Sequence, residues 1–402
     1  MSDTALSPLG SRAAPLAPAG AVRFVAEHIS RDRLPGLAGP WAELAARAAE
    51  PNALMEPAFA LAALTHLADA APFEAVAVWR EVAGERRLVA LMVLRLASRR
   101  WGLPLGLAEA MAHNYGPLGT PLLDREHGLP AAEALLAFLR ARPAGRRFLL
   151  LPFLNEDGAA AALLAEAMRR QSLRHAVFGR FARTLAAPGA PGRYLDASLP
   201  AKRRRHLARL RRQLEARGTL THEVAVAPPA VAAAVEAFLT LEEAGWKGRI
   251  GTATTQRPDR RAFLTAAMAG MAEAGRIRVH LHNLDGRPIA AGIALLSQHR
   301  AWYWKTAYDE AFAAISPGVQ LTLDLTDDLL SLPGLDSIDS LADPDHPMIG
   351  HLWREHLTMA HWLVDLTPGG SALFLLAAAL ENLRRTGRER LVALRNRLRK
   401  GR

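Results

Sequence analysis

Trp304-Lys305-Thr306-Ala307-Tyr308-Asp309 places a cation, a phenol and a carboxylate in one short run, and Ser316-Pro317-Gly318 follows closely. A carboxylate such as Asp309 can orient a nucleophile or accept its proton, and Lys305 can contact an anionic ligand. The plain alternatives are an aspartate that caps a turn and a surface lysine. Tyr308 can return a proton to a leaving group or simply pack. Serine is a good N-cap and proline a good first helical residue, so a helix is expected to open at Ser316. The free N–H groups of its first turn, at Gly318 and Val319, suit a pyrophosphate, and Gly318 permits close approach. Upstream, Gly245-Trp246-Lys247-Gly248-Arg249 sets two cations beside an aromatic in a glycine-flanked loop, which suits an anionic or sugar-like ligand unless Trp246 only covers the core edge. His280 and His282 share one side of a strand, and Asp343, Asp345 and His346 share a proline-bounded loop. Neither set has the spacing of a strong metal motif, so no metal is expected.

The chain has 402 residues, half of them hydrophobic, which is enough for two ordinary cores. It has no cysteine, which excludes a thiol nucleophile, a disulfide scaffold and a cysteine-ligated metal centre. No stretch reaches the roughly 20 apolar residues that span a bilayer. Residues 1–20 are rich in Ala, Pro and Ser without a basic start and apolar core, so they read as a disordered leader and the protein as cytoplasmic. The net charge is +11, concentrated in Lys202–Arg217 and in Arg384–Arg402. The first cluster is a solvated helix face or a phosphate-binding surface, tRNA included. The second ends a long helix that packs on its own domain or docks on an anionic membrane surface.

The elements that must position these residues recur in one order. In the second half, Leu199–Arg217 is a basic amphipathic helix, Thr219–Val226 a strand, and helices cover 229–244 and 258–275. Strands follow at 276–284 and 287–296, joined by the Asp285-Gly286 hairpin turn, and at 299–307. The Ser316 helix runs to about Leu332, then come a strand at 336–341, a helix at 347–356 and a strand at 358–366. The first half reads alike: a strand at 22–30, helices at 41–49 and 57–68, and a hairpin of 73–82 with 87–96 around Gly84-Glu85. A weak strand approaches Asn114, and a helix at 131–140, a strand at 148–154, a helix at 159–170 and a strand at 174–184 follow.

That order, with the ordered run from Arg204 to Trp362 of Gly245-Trp246-Lys247-Gly248-Arg249, Asp285-Gly286-Arg287-Pro288-Ile289-Ala290, Trp304-Lys305-Thr306-Ala307-Tyr308-Asp309 and Ser316-Pro317-Gly318, resembles GNAT N-acyltransferases. It is most similar to the acetyltransferase family associated with cellulose biosynthesis, and distantly to the peptidoglycan-bridge aminoacyltransferases. The resemblance implies an α/β protein of two tandem GNAT-like domains, each a mixed central sheet flanked by helices. The divisions expected are a leader (1–20), a degenerate first domain (21–195), a catalytic second domain (196–367) and a basic C-terminal helix (368–402). It further implies an acyl-CoA co-substrate at Ser316, Gly318 and Val319, and an amine-bearing small molecule or sugar as acceptor near Trp246, Lys247 and Arg249. Asn114 and Tyr115 would line a groove between the halves. Asp309, Lys305 and Tyr308 would carry catalysis, with Asp339 or a water chain as other routes for the proton. The Arg/Gln-x-x-Gly-x-Gly/Ala phosphate loop of GNAT proteins is missing. An aminoacyl-tRNA donor, or a catalytically silent scaffold, are the competing readings.

Overall fold

In a computed structural model, residues 21–67, 73–141, 146–188, 194–343, 346 and 348–400 are described, the side chains of Arg146 and 388–400 excepted. The expected leader, Asp345 and most of the C-terminal basic side chains lie outside the described residues.

The first half contains β1 (Arg23–Ile29), α1 (Ala38–Arg47), α2 (Pro57–His66), β2 (Phe73–Val82), β3 (Glu85–Ala97), β4 (Gly106–Ala110), β5 (Leu122–Leu123), α3 (Gly128–Ala141), β6 (Arg146–Asn155), α4 (Ala159–Arg170) and β7 (Arg174–Ala186). The second contains α5 (Tyr194–Ser198), α6 (Ala201–Glu215), β8 (Leu220–Ala225), α7 (Pro228–Ala244), α8 (Trp246–Arg249), α9 (Pro258–Glu273), β9 (Ile277–Leu284), β10 (Arg287–Ser297), β11 (Arg300–Tyr308), α10 (Pro317–Leu330), β12 (Ser337–Asp339), β13 (Glu355–Asp365) and α11 (Ala372–Lys400).

Local chemistry explains most boundaries. Proline opens α2, α7, α9 and α10, where a missing N–H costs nothing. The β9–β10 turn takes positive φ at both Asp285 and Gly286, as the right-handed twist of a tight hairpin requires. The β2–β3 turn uses Ala83-Gly84, one residue earlier than expected. The helix expected at 347–356 is only a 3-10 turn at Ile349–His351, because β13 already begins at Glu355 and leaves no length for more.

All strands join one mixed sheet in the order β1-β2-β3-β4-β6-β13-β7-β12-β11-β10-β9-β8, with β5 beside β3. The order is symmetric about the β13–β7 pair. Each half supplies four strands and then a parallel partner, β4 with β6 and β11 with β12. Each half's last strand then crosses into the other: β13 pairs with β6 of the first half, and β7 with β12 of the second. The strand expected at 358–366 therefore completes the first sheet instead of its own. Around this junction β6 and β7 each carry an extra residue opposite β13, with positive φ at Phe153 and Gly179, which bends the sheet where the halves meet.

One core cluster runs through both halves on the face covered by α1, α2, α7 and α9. There α2 crosses α9 with Phe59 edge-on to Phe263 at 5.3 Å. Gly270 lies so close to α2 that an added Cβ would stand 3.0 Å from Cβ of Ala58. On the other face α3 and α4 cover the first half and α10 the second.

The exchange predicts that neither half is stable alone. Residues 21–188 and 194–402 made separately are expected to show unprotected amides by hydrogen exchange, and mixing them to restore protection in β7 and β13.

Candidate active site

The residues expected to carry catalysis lie on or just after β11, and a bulge sets their direction. Ile293 pairs with Lys305 and Ala294 with Tyr303, which leaves Trp304 as an extra residue. Strand side chains alternate between faces, so one inserted residue turns every later one over. Lys305 and Ala307 thereby face α7, whereas Tyr308 faces the start of α10.

On the α7 side, Lys305 Nζ is 3.7 Å from Oε1 of Glu242, which also accepts a hydrogen bond from Lys247 Nζ at 2.8 Å. The other oxygen of Glu242 accepts from the Thr254 N–H at 2.9 Å. Burial pushes the Glu242 carboxyl up, but Lys305, Lys247 and these hydrogen bonds outweigh it and hold it at about 2. Burial pushes Lys305 down, against the pull of Glu242, to about 8. Its side chain is 15% exposed. Two lysines thus share one carboxylate, and the one that gains less from it is a base close to neutrality.

Tyr115 reaches this cluster from the first half. Lys305 Nζ lies over its ring at 4.8 Å, and its carbonyl accepts from Trp304 Nε1 at 2.7 Å. Burial raises the Tyr115 hydroxyl, with Arg260 and Thr254 beside it. Asn114 is exposed on the same tight turn, which His113 and Gly116 close.

Above the cluster opens a shallow cleft between Glu242, Trp246 and Lys247 on one side and Thr306, Tyr308 and Glu310 on the other. Trp246 is 52% exposed at its rim and does not seal the core edge. Glu310 fixes the loop by accepting from the Trp246 N–H at 2.7 Å and from Arg249 at 2.6 Å. Asp309 turns away: its Oδ1 accepts from the Ala311 N–H and its Oδ2 from Arg287 at 3.0 Å. Sequence reasoning missed Glu242 and Glu310. Glu242 had a signal, since Val231, Val235, Phe238 and Glu242 follow helical spacing and the stripe ends on a carboxylate.

Across β11, Ser316 precedes α10 as expected, but in the left-handed region (φ 54°) and without a side-chain cap. Its carbonyl accepts from the Val319 and Gln320 N–H groups, so of the donors expected for a phosphate Val319 is already engaged. Gly318 is pressed against Tyr308, where a Cβ would stand 3.1 Å from the ring. The basic helix α6 runs alongside: Gln320 donates to the Leu207 carbonyl, and Arg211 pairs with Asp324 at 2.7 Å. A helix start without a side-chain cap, bordered by a basic helix, fits a phosphate. The corresponding helix of the first half, α3, does not. The Asp124 carboxylate accepts from Glu126 and His127 N–H ahead of α3 and pairs with Arg47.

His280 and His282 are buried opposite α10. His280 contacts His222 at 3.2 Å and His282 contacts Asp324 at 2.7 Å. Burial depresses His280 to about 3. Among the described residues no group of three or more metal-ligating side chains is placed to hold an ion.

Residues 201–346 match the family model of the acetyltransferase (GNAT) domain. No curated protein matches the chain in sequence. Among solved structures, FemX aligns with a TM-score of 0.53 at 13% identity, over 88% of this chain and 99% of its own. A conserved protein of unknown function from Bacteroides thetaiotaomicron VPI-5482 aligns with a TM-score of 0.50 at 12% identity, over 86% of this chain and 100% of that one. The C-terminal domain (DUF2156) of a putative lysylphosphatidylglycerol synthetase from Agrobacterium fabrum gives 0.49 at 14% identity, over 86% and 96%. The two alignments with a TM-score of 0.50 or more speak for the fold, an α/β protein of two GNAT-like halves, and the family-model match lies in the second half.

The depressed Lys305 has a thermodynamic consequence. Between about 8 and its ordinary 10.5 the unfolded chain holds this proton and the folded chain does not, so unfolding free energy should rise with pH across that window. Denaturant titrations of the wild type and of Lys305→Met should show the rise in the first and a flatter profile in the second.

Proposed function

We propose that the second half transfers an acyl group from an activated donor, acyl-CoA, to an amine acceptor by direct attack, with Lys305 receiving the amine proton. The observation that carries this reading is the Lys305–Glu242–Lys247 cluster beneath an open cleft, one strand away from an uncapped helix start. A bound acyl-CoA supplies the thioester carbon to which the amine nitrogen bonds as the C–S bond breaks. Ser316 and Gly318 hold its pyrophosphate, the Val319 N–H being taken by the Ser316 carbonyl, and α6 adds positive potential beside them.

Lys305 suits the proton transfer because a base works best near the operating pH, and it lies beside the cleft. Glu242 is too strong an acid for that task and positions the two lysines. Asp309, with both oxygens engaged, holds the turn after β11, and Tyr308 backs Gly318. Asp339, expected as another route for the proton, is buried beside Arg183 at 3.7 Å and bonded to the Leu341 N–H, which suits a structural part. On the acceptor side, exposed Trp246 with Lys247 and Arg249 favours an amino sugar or a similar polar amine, consistent with a place in polysaccharide biosynthesis. Asn114 and Tyr115 form the wall supplied by the first half. That half binds no donor in this reading, because Asp124 occupies the place of the phosphate.

A second reading, an aminoacyl-tRNA donor, draws on the basic face of α6 beside α10. Thermal unfolding with acyl-CoAs and with deacylated tRNA separates the two. A ligand at 100 times its Kd adds about 2.7 kcal/mol. Stabilisation by acyl-CoA, abolished by Gly318→Leu, is expected. Stabilisation by tRNA alone would transfer the donor site to the second reading.

Lys305→Arg keeps the charge but cannot release a proton near neutrality. It should lower kcat by about 100-fold or more while leaving donor stabilisation intact. Wild-type kcat/KM should climb with pH, pass its half-maximum near 8 and level off about one pH unit above. Full activity of the arginine variant would show that Lys305 supplies only charge.

A further inference from the structure

We propose that α11 docks the protein on an anionic lipid surface. The helix has two faces. Inward, Phe374 and Ala377 are buried against the first half, and Glu381 is wholly enclosed. Outward, Leu375 and Leu383 are 71% and 70% exposed, with Leu376 at 46%. Ala372 and Ala379 complete this stripe at helical spacing. Such a stripe is costly to leave in water, and nothing among the described residues covers it.

The helix is firmly seated, so the stripe is a fixed feature of the surface. Glu381 accepts from Trp101 Nε1 at 2.9 Å and pairs with Arg100 at 3.2 Å, Arg384 at 3.0 Å and Arg385 at 2.7 Å. Burial pushes its carboxyl up, but these partners prevail and hold it at about 2. The inward acid is thereby neutralised in place, and the helix presents no free negative charge from it.

Charge selects the occupant. From Arg384 to the end the sequence holds Arg384, Arg385, Arg388, Arg390, Arg395, Arg397, Arg399, Lys400 and Arg402 against the single acid Glu389. A second copy of the chain would bring two such tails together and repel. Anionic headgroups attract them while the acyl boundary takes up the leucines, the arrangement of an interfacial amphipathic helix. Spanning is not implied, since no described helix is long and apolar enough to cross a membrane.

The test uses the full chain and sedimentation with vesicles of phosphatidylcholine alone or mixed equally with phosphatidylglycerol. Partitioning onto the mixed vesicles should exceed that onto neutral ones by about tenfold or more and fall as salt is raised. The double variant Leu375→Glu, Leu383→Glu changes only exposed positions, so its melting temperature should hold while its partitioning drops by about tenfold or more. Absence of binding to the mixed vesicles at low salt overturns the proposal. Undiminished binding of the variant overturns it too, because α6 or another basic patch would then account for the attraction. A wild-type dimer in size-exclusion chromatography that the two substitutions dissolve would assign the stripe to self-association instead.

Discussion

β7 and β13 lie antiparallel from Glu355 opposite Leu185 to Asp365 opposite Arg174, and each is hydrogen-bonded on its far side to the half it did not come from. A strand left unpaired exposes a row of N–H and C=O groups, so each half needs the other's strand to satisfy its sheet. The halves are consequently fixed relative to one another at the backbone level, with α2 against α9 adding a shared core. A site assembled from both halves depends on that rigidity. Tyr115 can rest on Lys305 only because the sheet that carries it is continuous with the sheet that carries β11.

Within this frame a single inserted residue decides what the site contains. The bulge at Trp304 turns Lys305 from the α10 face to the α7 face and into the reach of Glu242. There its ammonium loses most of its hydration and shares its counter-charge with Lys247. Desolvation outweighs one shared carboxylate, and the ammonium becomes a stronger acid that gives up its proton near 8. The same bulge leaves Tyr308 on the opposite side, against Gly318, so the two faces of one strand address the two ends of the proposed reaction.

The symmetry of the sheet makes the difference between the halves informative. Each half sets a helix, α3 or α10, between the two strands of its parallel pair in chain order. Just ahead of α3 the Asp124 carboxylate accepts from the Glu126 and His127 N–H groups, so an anion at that helix start would meet a like charge. At α10 backbone capping leaves that position without a charge, and basic α6 borders it. Electrostatics at the helix start thus distinguishes the two halves.

The sequence by itself determined the elements and their order. Proline-opened helices, the Asp285-Gly286 turn and alternating strands are local effects of φ/ψ preference and burial period, and they appear where the residues say, whereas the helix expected at 347–356 does not. It also singled out Lys305, Lys247, Tyr115 and Gly318, because cations, aromatics and glycine at loop and strand ends are informative as types. Only the tertiary structure decided the exchange of β7 and β13, since strand pairing across 180 residues leaves no local mark. It alone turned Lys305 towards Glu242, because a bulge is defined by the partner strand. It also tied Asp309 to Arg287 and Ala311, a commitment that depends on which neighbours arrive. A side chain's type fixes what it can do, and its neighbours, set by long-range pairing, decide which of those things it does.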